Sequence, residues 1–390
     1  MSETLYLLSY GELALKGRNR PFFVKRLIKN IIEKIKNLGH YEIHSIDGRL
    51  LLNTTAGPHE VYPVLSKIFG LAGFSLVVKC GLNYEEVREK TLQFVSSCLS
   101  QKPEISTFKI AARRSNKQFE KNSTELNSEL GLEVLKAFPQ LKVDVKTPHL
   151  AVHVEIRDQE AFIHSAFEKG GGGLPVGISG KGLLLLSGGI DSPVAGWMLL
   201  KRGMQVTPLH FCSPPYTSPR ARQKVIDLAR VLASYGGEKY LHLLQFTPVQ
   251  LKIKDTRHQD LMTLLLRRAM MDAAMQLSQK LNQNTVITGE NLGQVASQTI
   301  ESMTATAHQY PLQVIRPLIG FDKMEIIEKA KQIQTYEISI QPYEDCCTLF
   351  LPEHPCTKPH VNDLLQEYNT LELDQLVSES VINVEVVSLL

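Results

Sequence analysis

An apolar run followed by a glycine-containing turn and a helical pattern constrains this chain most. Residues 182–187 read GLLLLS, the turn includes Gly188 and Gly189, and a helical pattern over 192–202 stops at Gly203. A continuous apolar run of this length predicts a strand that is buried on both faces, as in a parallel sheet. The strand-like segment QVTPLHF follows the helix, so these residues form a βαβ unit.

The same alternation continues toward the C-terminus. The periodicity predicts helices and strands in turn, over 219–234 (helix), 239–246 (strand), 258–280 (helix) and 284–289 (strand). Alternating helices and strands indicate a doubly wound α/β sheet. In such a sheet the ligand lies at the carboxyl ends of the strands, and the turn at 187–192 is at that edge.

The first half of the chain has shorter strands and a different order. We expect strands and helices over 4–10, 21–38, 41–46, 49–53, 75–80, 84–99, 107–115, 123–137, 151–157 and 160–165. These elements divide into two α+β segments. The boundary is expected near residues 60–75, where the sequence has no stretch with the composition of a linker. Four successive glycines at 170–173 predict a hinge. The expected domains are therefore 1–60, 61–168 and 179–390, with a linker over 169–178.

Composition limits the class of protein. A chain of 390 residues has room for two or three domains, and six cysteines at irregular spacing do not form a disulfide framework. There is no apolar run of about 18 residues and no secretory signal pattern at the N-terminus. These features predict a reduced, cytoplasmic setting. The net charge of +3 is small, but the basic excess lies before residue 175, which favours a polyanionic partner there.

The turn at 187–192 has the chemistry of an anion site. Its glycines let successive N–H groups and the helix N-terminus converge, and Ser187 and Ser192 add hydroxyl donors. Asp191 would repel a phosphate unless Mg²⁺ lay between them, which suits a nucleotide bound with its metal. The alternative is a plain turn in which Asp191 and Ser192 cap the helix.

Basic residues cluster on one strand and the loop after it. The cluster consists of Lys109, Arg113, Arg114, Lys117 and Lys121, with Phe119 among them, and a second group lies near the first helix. Such clusters bind the phosphates of nucleic acid. A solvated charged face is the alternative interpretation.

Five separated motifs resemble known families. SGGIDSPVAGW is similar to the signature of the PP-loop ATP pyrophosphatases. The other four resemble segments of the ThiI family of tRNA 4-thiouridine synthetases: YGELALKGRNRPFF, AARRSNKQF with Ser123 and the following ELN, TGENLGQVASQT, and PYEDCCTLFLPEHPCTKP. The resemblance runs from end to end. It implies a ferredoxin-like domain, a THUMP RNA-binding domain and a C-terminal PP-loop domain.

The family resemblance also implies an activity. ATP, with Mg²⁺, adenylates O4 of uridine 8 in tRNA and releases pyrophosphate, and sulfur from a cysteine persulfide then replaces AMP. The THUMP domain would bind the acceptor end of tRNA through the basic cluster. Relatives also supply sulfur for thiamine synthesis. The sequence does not determine the oligomeric state, and a homodimer is one alternative.

Particular residues acquire roles from the same resemblance. Three residues are expected to be catalytic. Cys346 aligns with the persulfide carrier, with Cys347 as the alternative, Asp191 is the carboxylate for Mg²⁺, and Lys323 matches a position required for activity. The positions that match nucleotide contacts are Leu185, Leu186, Ser187, Gly188, Gly189, Asp191, Ser192, His210, Phe211, Arg267, Gly289 and Gln298. Phe211 suits adenine and Arg267 suits phosphate. We expect no metal site that is built from protein ligands alone. An iron–sulfur cluster held by Cys346, Cys347 and Cys356 is the alternative.

One departure concerns the sulfur donor. Longer members of the family carry a rhodanese domain with a second cysteine, and this chain ends soon after the PP-loop domain. We therefore expect a cysteine desulfurase, or another sulfur donor, to load Cys346 directly. Two other functions stay open: an ATP-dependent amidating synthetase, and a non-catalytic RNA-binding protein.

Overall fold

A computed structural model describes residues 4–343, 352 and 354–390. The chain divides into two compact units, residues 1–173 and 174–390. No helix of the described part is long and apolar enough to cross a membrane.

Unit 1 contains the predicted short strands and helices, together with a helix over 58–65 and two-residue strands at 142–143 and 168–169 that were not predicted. Its strands are β1 (Thr4–Ser9), β2 (Tyr41–Ile46), β3 (Arg49–Thr54), β4 (Gly73–Cys80), β5 (Thr107–Arg114), β6 (Lys142–Val143), β7 (Leu150–Ile156), β8 (Ala161–His164) and β9 (Glu168–Lys169). Its helices are α1 (Arg20–Ile35), α2 (Pro58–Leu65), α3 (Tyr84–Gln101) and α4 (Ser123–Ala137), and a 3-10 segment spans Glu12–Asn19. Asn83 and Asn122 cap α3 and α4 by accepting hydrogen bonds from first-turn amides, which fixes both helix starts.

One sheet runs through the whole of unit 1. The described strands are ordered β2-β3-β1-β4-β8-β7-β5-β6, and β9 also pairs with β4. The first half of β4 pairs with β1 (Phe74 opposite Leu8), and its last residues pair with β8 (Cys80 opposite Ala161). Because one strand serves both α+β segments, no linker is needed near residue 60, and the sequence has none there.

The glycine run is packed rather than free. The amides of Gly170 and Gly172 donate to the carbonyl oxygens of Ala72 and Leu71. A Cβ on Gly170 would lie 2.4 Å from the carbonyl oxygen of Leu71, which no side chain tolerates. At Gly170 and Gly171 glycine is needed because two backbone segments approach closely. The boundary between the two compact units follows Gly173, inside the predicted linker, and its role as a hinge stays a prediction.

Unit 2 contains the predicted α/β alternation. Its strands are β10 (Lys181–Leu185), β11 (Gln205–Cys212), β12 (Tyr240–Gln245), β13 (Thr285–Ile287), β14 (Gln313–Ile315) and β15 (Glu385–Ser388). Its helices are α5 (Asp191–Lys201), α6 (Pro219–Ser234), α7 (Thr247–Ile253), α8 (Met262–Lys280), α9 (Ile300–Thr306), α10 (Lys323–Gln332), α11 (Tyr336–Ser339), α12 (Val361–Thr370) and α13 (Leu373–Ile382), with a 3-10 turn over Gln259–Leu261.

The strand order of the sheet in unit 2 shows at which point of its edge a ligand is expected to bind. The described strands are ordered β14-β13-β10-β11-β12-β15, all parallel except β15. The chain runs from β10 outward to β12 and then returns to the other side of β10 as β13. The strand order therefore reverses between β10 and β13, and ligands of doubly wound sheets bind at this switch point.

The core explains why β10 reads as a continuous apolar run. Leu183 and Leu184 are fully buried, and the apolar face of α8 packs in the same core as Leu183. A strand with helices on both faces must be apolar at successive positions. The doubly wound parallel sheet predicted from the sequence is confirmed.

Candidate functional site

The turn after β10 is closed by its own hydroxyl groups. The Ser187 amide donates to Ser192 Oγ at 2.9 Å, and the Gly189 amide donates to Ser187 Oγ at 3.2 Å. The two hydroxyl oxygens lie 3.1 Å apart. Helix α5 begins immediately afterwards, at Asp191. The geometry is that of a compact turn leading into a helix N-terminus, which is the backbone arrangement that binds phosphate.

A cleft opens beside this turn at the switch point. It is lined by Leu185, Ser187, Asp191, Ser192, Arg267, Met270, Met271, Thr288, Gly289, Glu290, Gln298, Thr306 and Arg316. Seven of the predicted nucleotide-contacting residues are among these lining residues. The sequence motifs at 187–192 and 288–299, far apart in the chain, therefore meet at one edge of the sheet.

Close backbone packing joins the two motifs. Gly289 follows β13, and a Cβ at this position would lie 2.8 Å from the Ser192 nitrogen and 3.0 Å from the Asp191 carbonyl carbon. Backbone atoms cannot rotate away as a flexible side chain can. Gly289 is thus a position where only glycine lets the end of β13 approach the phosphate turn.

Two of the predicted nucleotide contacts, His210 and Phe211, have structural roles on the neighbouring strand. His210 is buried, and its Nδ1 donates to the Leu186 carbonyl oxygen at 2.9 Å. The ring of Phe211 lies edge-on to Phe246, with 4.7 Å between ring centroids, inside the core. These side chains hold the ends of β10 and β11. The Phe211 ring is buried and is not among the residues that line the cleft, so a contact between Phe211 and adenine stays a prediction.

The two charged residues predicted to be catalytic form an ion pair. Lys323, the first residue of α10, donates from Nζ to Asp191 Oδ1 at 2.7 Å. Gln294 Nε2 donates to the other carboxylate oxygen at 3.1 Å. Asp322 caps α10 through the Glu325 amide, which fixes where Lys323 stands. The fold therefore brings together two residues that are distant in the sequence.

A buried carboxylate between two arginines was not predicted. Glu290 forms ion pairs with Arg267 and with Arg316 Nε, the latter at 2.6 Å, and accepts a hydrogen bond from Thr288 Oγ1 at 2.9 Å. Burial lowers the pKa of Arg316 from its ordinary value. Glu290 lies within the motif TGENLGQVASQT, which is the signal that could have identified it. Arg316 follows the three-residue strand β14, which is too short to recognise from periodicity.

The cleft also has an apolar wall and an open hydrogen-bond acceptor. Met270 and Met271 of α8 line it and are largely buried. The side-chain carbonyl oxygen of Gln298 is buried there without a hydrogen-bond partner among the described residues. A buried acceptor of this kind is normally satisfied, so its position suits an N–H or O–H donor of a ligand.

The predicted persulfide carriers, Cys346 and Cys347, lie outside the described residues. Cys356 is half-buried, and its amide donates to the Asp260 carbonyl oxygen at 3.0 Å. No group of metal-binding side chains is found in the part of the chain that the structure describes.

The remaining cysteines of the chain are Cys80, Cys98 and Cys212. Burial raises the pKa of Cys80 and of Cys98 to about 11, and burial also raises the pKa of Cys212. A thiol with a raised pKa is a poor nucleophile at neutral pH. These three residues are therefore unsuited to carry reactive sulfur.

The predicted RNA-binding cluster on β5 and the loop after it contains exposed residues and residues whose side chains contact other parts of unit 1. Arg113 and Lys117 are exposed. Arg114 donates to the carbonyl oxygens of Phe119 and Lys121, at 3.0 and 3.4 Å, and so holds the loop. Lys121 pairs with Glu129 at 2.8 Å and lies 4.4 Å from the centroid of the Tyr84 ring. Lys109 Nζ lies 3.5 Å from the Val145 carbonyl oxygen.

Phe119, which lies among these basic residues in the sequence, is buried in the core of unit 1.

The fold and the cleft define a class of protein. A phosphate-binding turn at the switch point of a doubly wound sheet, with an aspartate and a lysine beside it, is a nucleotide-binding α/β domain of the PP-loop type. Comparison with family descriptions agrees. Residues 177–373 match the family described as thiamine biosynthesis protein (ThiI), residues 5–75 match the ThiI ferredoxin-like domain, and residues 82–165 match the THUMP domain.

Similar proteins extend over the full chain. A probable tRNA sulfurtransferase of Thermoanaerobacter pseudethanolicus is 44% identical over 97% of this chain and 98% of the relative. One of Bacillus licheniformis is 43% identical over 100% of this chain and 96% of the relative. A crystal structure of a 4-thiouridine synthetase–RNA complex with bound ATP is similar with a TM-score of 0.90, at 39% identity over 99% of each chain. The chain belongs to the ThiI family.

Proposed function

We propose that this protein is an ATP-dependent tRNA sulfurtransferase. It adenylates O4 of uridine 8, releases pyrophosphate, and then replaces AMP with sulfur to give 4-thiouridine. The observation that carries the proposal is the cleft at the switch point, where the turn at 187–192 meets the Asp191–Lys323 pair. The relatives that match over the full chain, two probable tRNA sulfurtransferases and a 4-thiouridine synthetase, support the substrate and the reaction.

In the first step the uridine O4 attacks the α-phosphorus of ATP, and the bond to pyrophosphate breaks. Negative charge develops on the leaving pyrophosphate. The N–H groups of the turn, the N-terminus of α5 and Arg267 supply positive potential beside it, where they stabilise this charge. Lys323, held by Asp191, is placed to contribute a further cation.

Mg²⁺ belongs to the same proposal. It would screen the triphosphate charge, and it binds through one or two carboxylates together with phosphate oxygens. Asp191 is the carboxylate that fits, because it borders the phosphate turn and its partners, Lys323 and Gln294, come from surface positions. Glu290 does not fit, because Arg267, Arg316 and Thr288 already occupy its oxygens.

Sulfur enters in the second step. The terminal sulfur of a Cys346 persulfide attacks C4 of the adenylated uridine, and AMP leaves with the former O4. A second thiol then attacks the cysteine sulfur, which releases the 4-thiouridine sulfur and leaves a disulfide. Cys347 is the alternative carrier, and Cys356 is a candidate for the second thiol. A thiol reductant then reduces this disulfide, and we propose a cysteine desulfurase as the donor that transfers sulfur to the freed Cys346 thiol and so forms the persulfide again.

RNA binding is assigned to unit 1. The THUMP match over residues 82–165 includes β5 and its basic residues, of which Arg113 and Lys117 are exposed. Exposed cations can contact backbone phosphates without reading the base sequence. We therefore place the tRNA contact at these two residues first, and regard Arg114 and Lys121 as residues that shape the loop.

The test is mass analysis of nucleosides from unmodified tRNA incubated with the protein, ATP, Mg²⁺ and a persulfide donor. The proposal expects 4-thiouridine, with pyrophosphate release that depends on tRNA. The Asp191→Ala variant should abolish both products. Amidated nucleoside formed from ammonia would support the amidating alternative. Normal tRNA binding by the unmutated protein, without tRNA-dependent pyrophosphate release, would support the non-catalytic one.

A further inference from the structure

Two arginines line the nucleotide cleft, Arg267 and Arg316. The sequence predicted a role for Arg267 but none for Arg316. Arg316 follows β14, two strands from the phosphate turn in the sheet order β14-β13-β10. Its side chain is 20% exposed and borders the cleft. Only its Nε is bonded within the described residues, to Glu290 at 2.6 Å. Its two terminal nitrogens make no hydrogen bond to any residue that the structure describes, and they belong to a side chain that lines the cleft.

Glu290 holds this arginine and Arg267 in place. Its buried carboxylate pairs with both guanidinium groups and accepts a hydrogen bond from Thr288. Arg267 is also bonded to Ser297 Oγ at 3.0 Å. Two guanidinium groups and one carboxylate leave one net positive charge at this wall of the cleft. An anion in the cleft would meet an arginine pair that is already oriented.

We propose that Arg316 is a phosphate-binding residue that acts beside Arg267, and that Glu290 is the positioning residue for both. The ligand class is the phosphate group of the nucleotide, so the inference rests on the proposed function. A planar guanidinium bonded through Nε presents its two terminal N–H groups in a fixed fork, which matches two phosphate oxygens. Glu290 offsets the repulsion between the arginines when the cleft holds no nucleotide.

A purely structural tie is the competing explanation. Glu290 follows β13 and Arg316 follows β14, so their ion pair could serve only to join two strand ends. The two explanations make different predictions for a variant in which both residues are replaced by neutral glutamine. A structural tie predicts that stability and ATP affinity both recover, whereas a phosphate-binding role predicts that only stability recovers. Glutamines at both positions can hydrogen-bond to each other, but they present no cation to phosphate.

The experiment compares Arg316→Gln, Arg316→Lys, Glu290→Gln and the double variant Glu290→Gln/Arg316→Gln. ATP binding is measured by equilibrium titration without tRNA, and the thermal midpoint is measured on the same samples. Loss of charge-assisted hydrogen bonds should raise the ATP Kd of Arg316→Gln by about tenfold or more. Arg316→Lys should recover part of the affinity, and Glu290→Gln should lower the affinity by severalfold.

The double variant decides between the explanations. We expect its thermal midpoint to return toward that of the unmutated protein while its ATP Kd stays raised. Recovery of both quantities would show a structural tie only and would overturn the inference. An unchanged Kd in Arg316→Gln, or in Glu290→Gln, would overturn the role given to that residue. Because tRNA is absent, failure of thiolation by the unmutated protein would refute the proposed function and leave this test intact.

Discussion

The contact between Gly289 and the phosphate turn leads to a direct prediction. An alanine Cβ at position 289 would lie 2.8, 2.9 and 3.0 Å from the Ser192 nitrogen, the Ser192 Cα and the Asp191 carbonyl carbon. Non-bonded atoms of these types prefer separations of about 3.5–4 Å, so the turn must move by roughly half an ångström or more. The atoms that resist are all backbone. The phosphate turn itself must therefore shift.

The size of the effect follows from this displacement. Overpacking of this kind costs about 1–3 kcal/mol in stability, which lowers the thermal midpoint by about 2–4 °C per kcal/mol for a unit of this size. Displacing a binding group by about 1 Å can cost about a hundredfold in rate. We expect Gly289→Ala to reduce kcat/KM for ATP by about 10- to 100-fold, measured as tRNA-dependent pyrophosphate release.

ATP binding by the same variant can be followed with the chain's single tryptophan. Trp197 lies on α5, the helix that begins at the phosphate turn, with Lys201 Nζ and Lys329 Nζ at 5.2 and 5.5 Å from its ring centroid. The matched control is Gly320→Ala, because a Cβ at Gly320 meets nothing within 4 Å. If Gly289→Ala binds ATP and reacts like Gly320→Ala, the packing argument is refuted.

Three further predictions address other parts of the chain. Cys346→Ser should keep tRNA-dependent pyrophosphate release and lose 4-thiouridine; if Cys347→Ser gives this result instead, the carrier is the second cysteine. Arg113→Glu should weaken tRNA binding and reduce the slope of log K against log salt by about 1, measured by filter binding; an unchanged slope contradicts the phosphate contact. Glu155→Gln should destabilise unit 1 by about 3 kcal/mol at pH 7, because a buried partner of Arg49 and Arg157 is removed.

The pH dependence of the Glu155 effect has a definite sign. Burial alone would raise the pKa of Glu155, but hydrogen bonds from His164, Arg157 and Arg49 outweigh burial and hold the pKa well below its ordinary value. A carboxylate with a depressed folded-state pKa stabilises the fold above its unfolded pKa, and this contribution is lost as pH falls. The difference in stability between the two proteins should therefore shrink below about pH 4. A constant difference from pH 7 to pH 3, measured by denaturant unfolding, would contradict the ion-pair assignment.

Local patterns were enough to predict most of the elements. The helices over Ser123–Ala137 and Pro219–Ser234 have the predicted bounds, because each starts at a capping residue and carries a regular apolar face. Of the two short strands β13 and β14, only β13 could be predicted from the sequence. β13 follows a long helix and could be inferred from alternation, whereas β14 lies in a short segment between Pro311 and Pro317 and could not.

The site was predictable where a motif is contiguous. The turn at 187–192 could be recognised because its strand, glycines and helix are adjacent in the sequence. The Glu290–Arg316 pair could not be recognised, because it depends on which strands become neighbours in the sheet. The direction of the Phe211 ring could not be predicted for a related reason: alternation along a strand does not say which face a core aromatic occupies when both faces are buried.

Binding of the nucleotide at the switch point is the claim on which the rest depends. The most direct measurement is a crystal structure of this protein with Mg²⁺ and an ATP analogue that cannot be cleaved between the α- and β-phosphates. We predict the triphosphate against the backbone of residues 187–192, with Arg267 on its other side. A triphosphate bound elsewhere, with this turn facing away from it, would contradict the account.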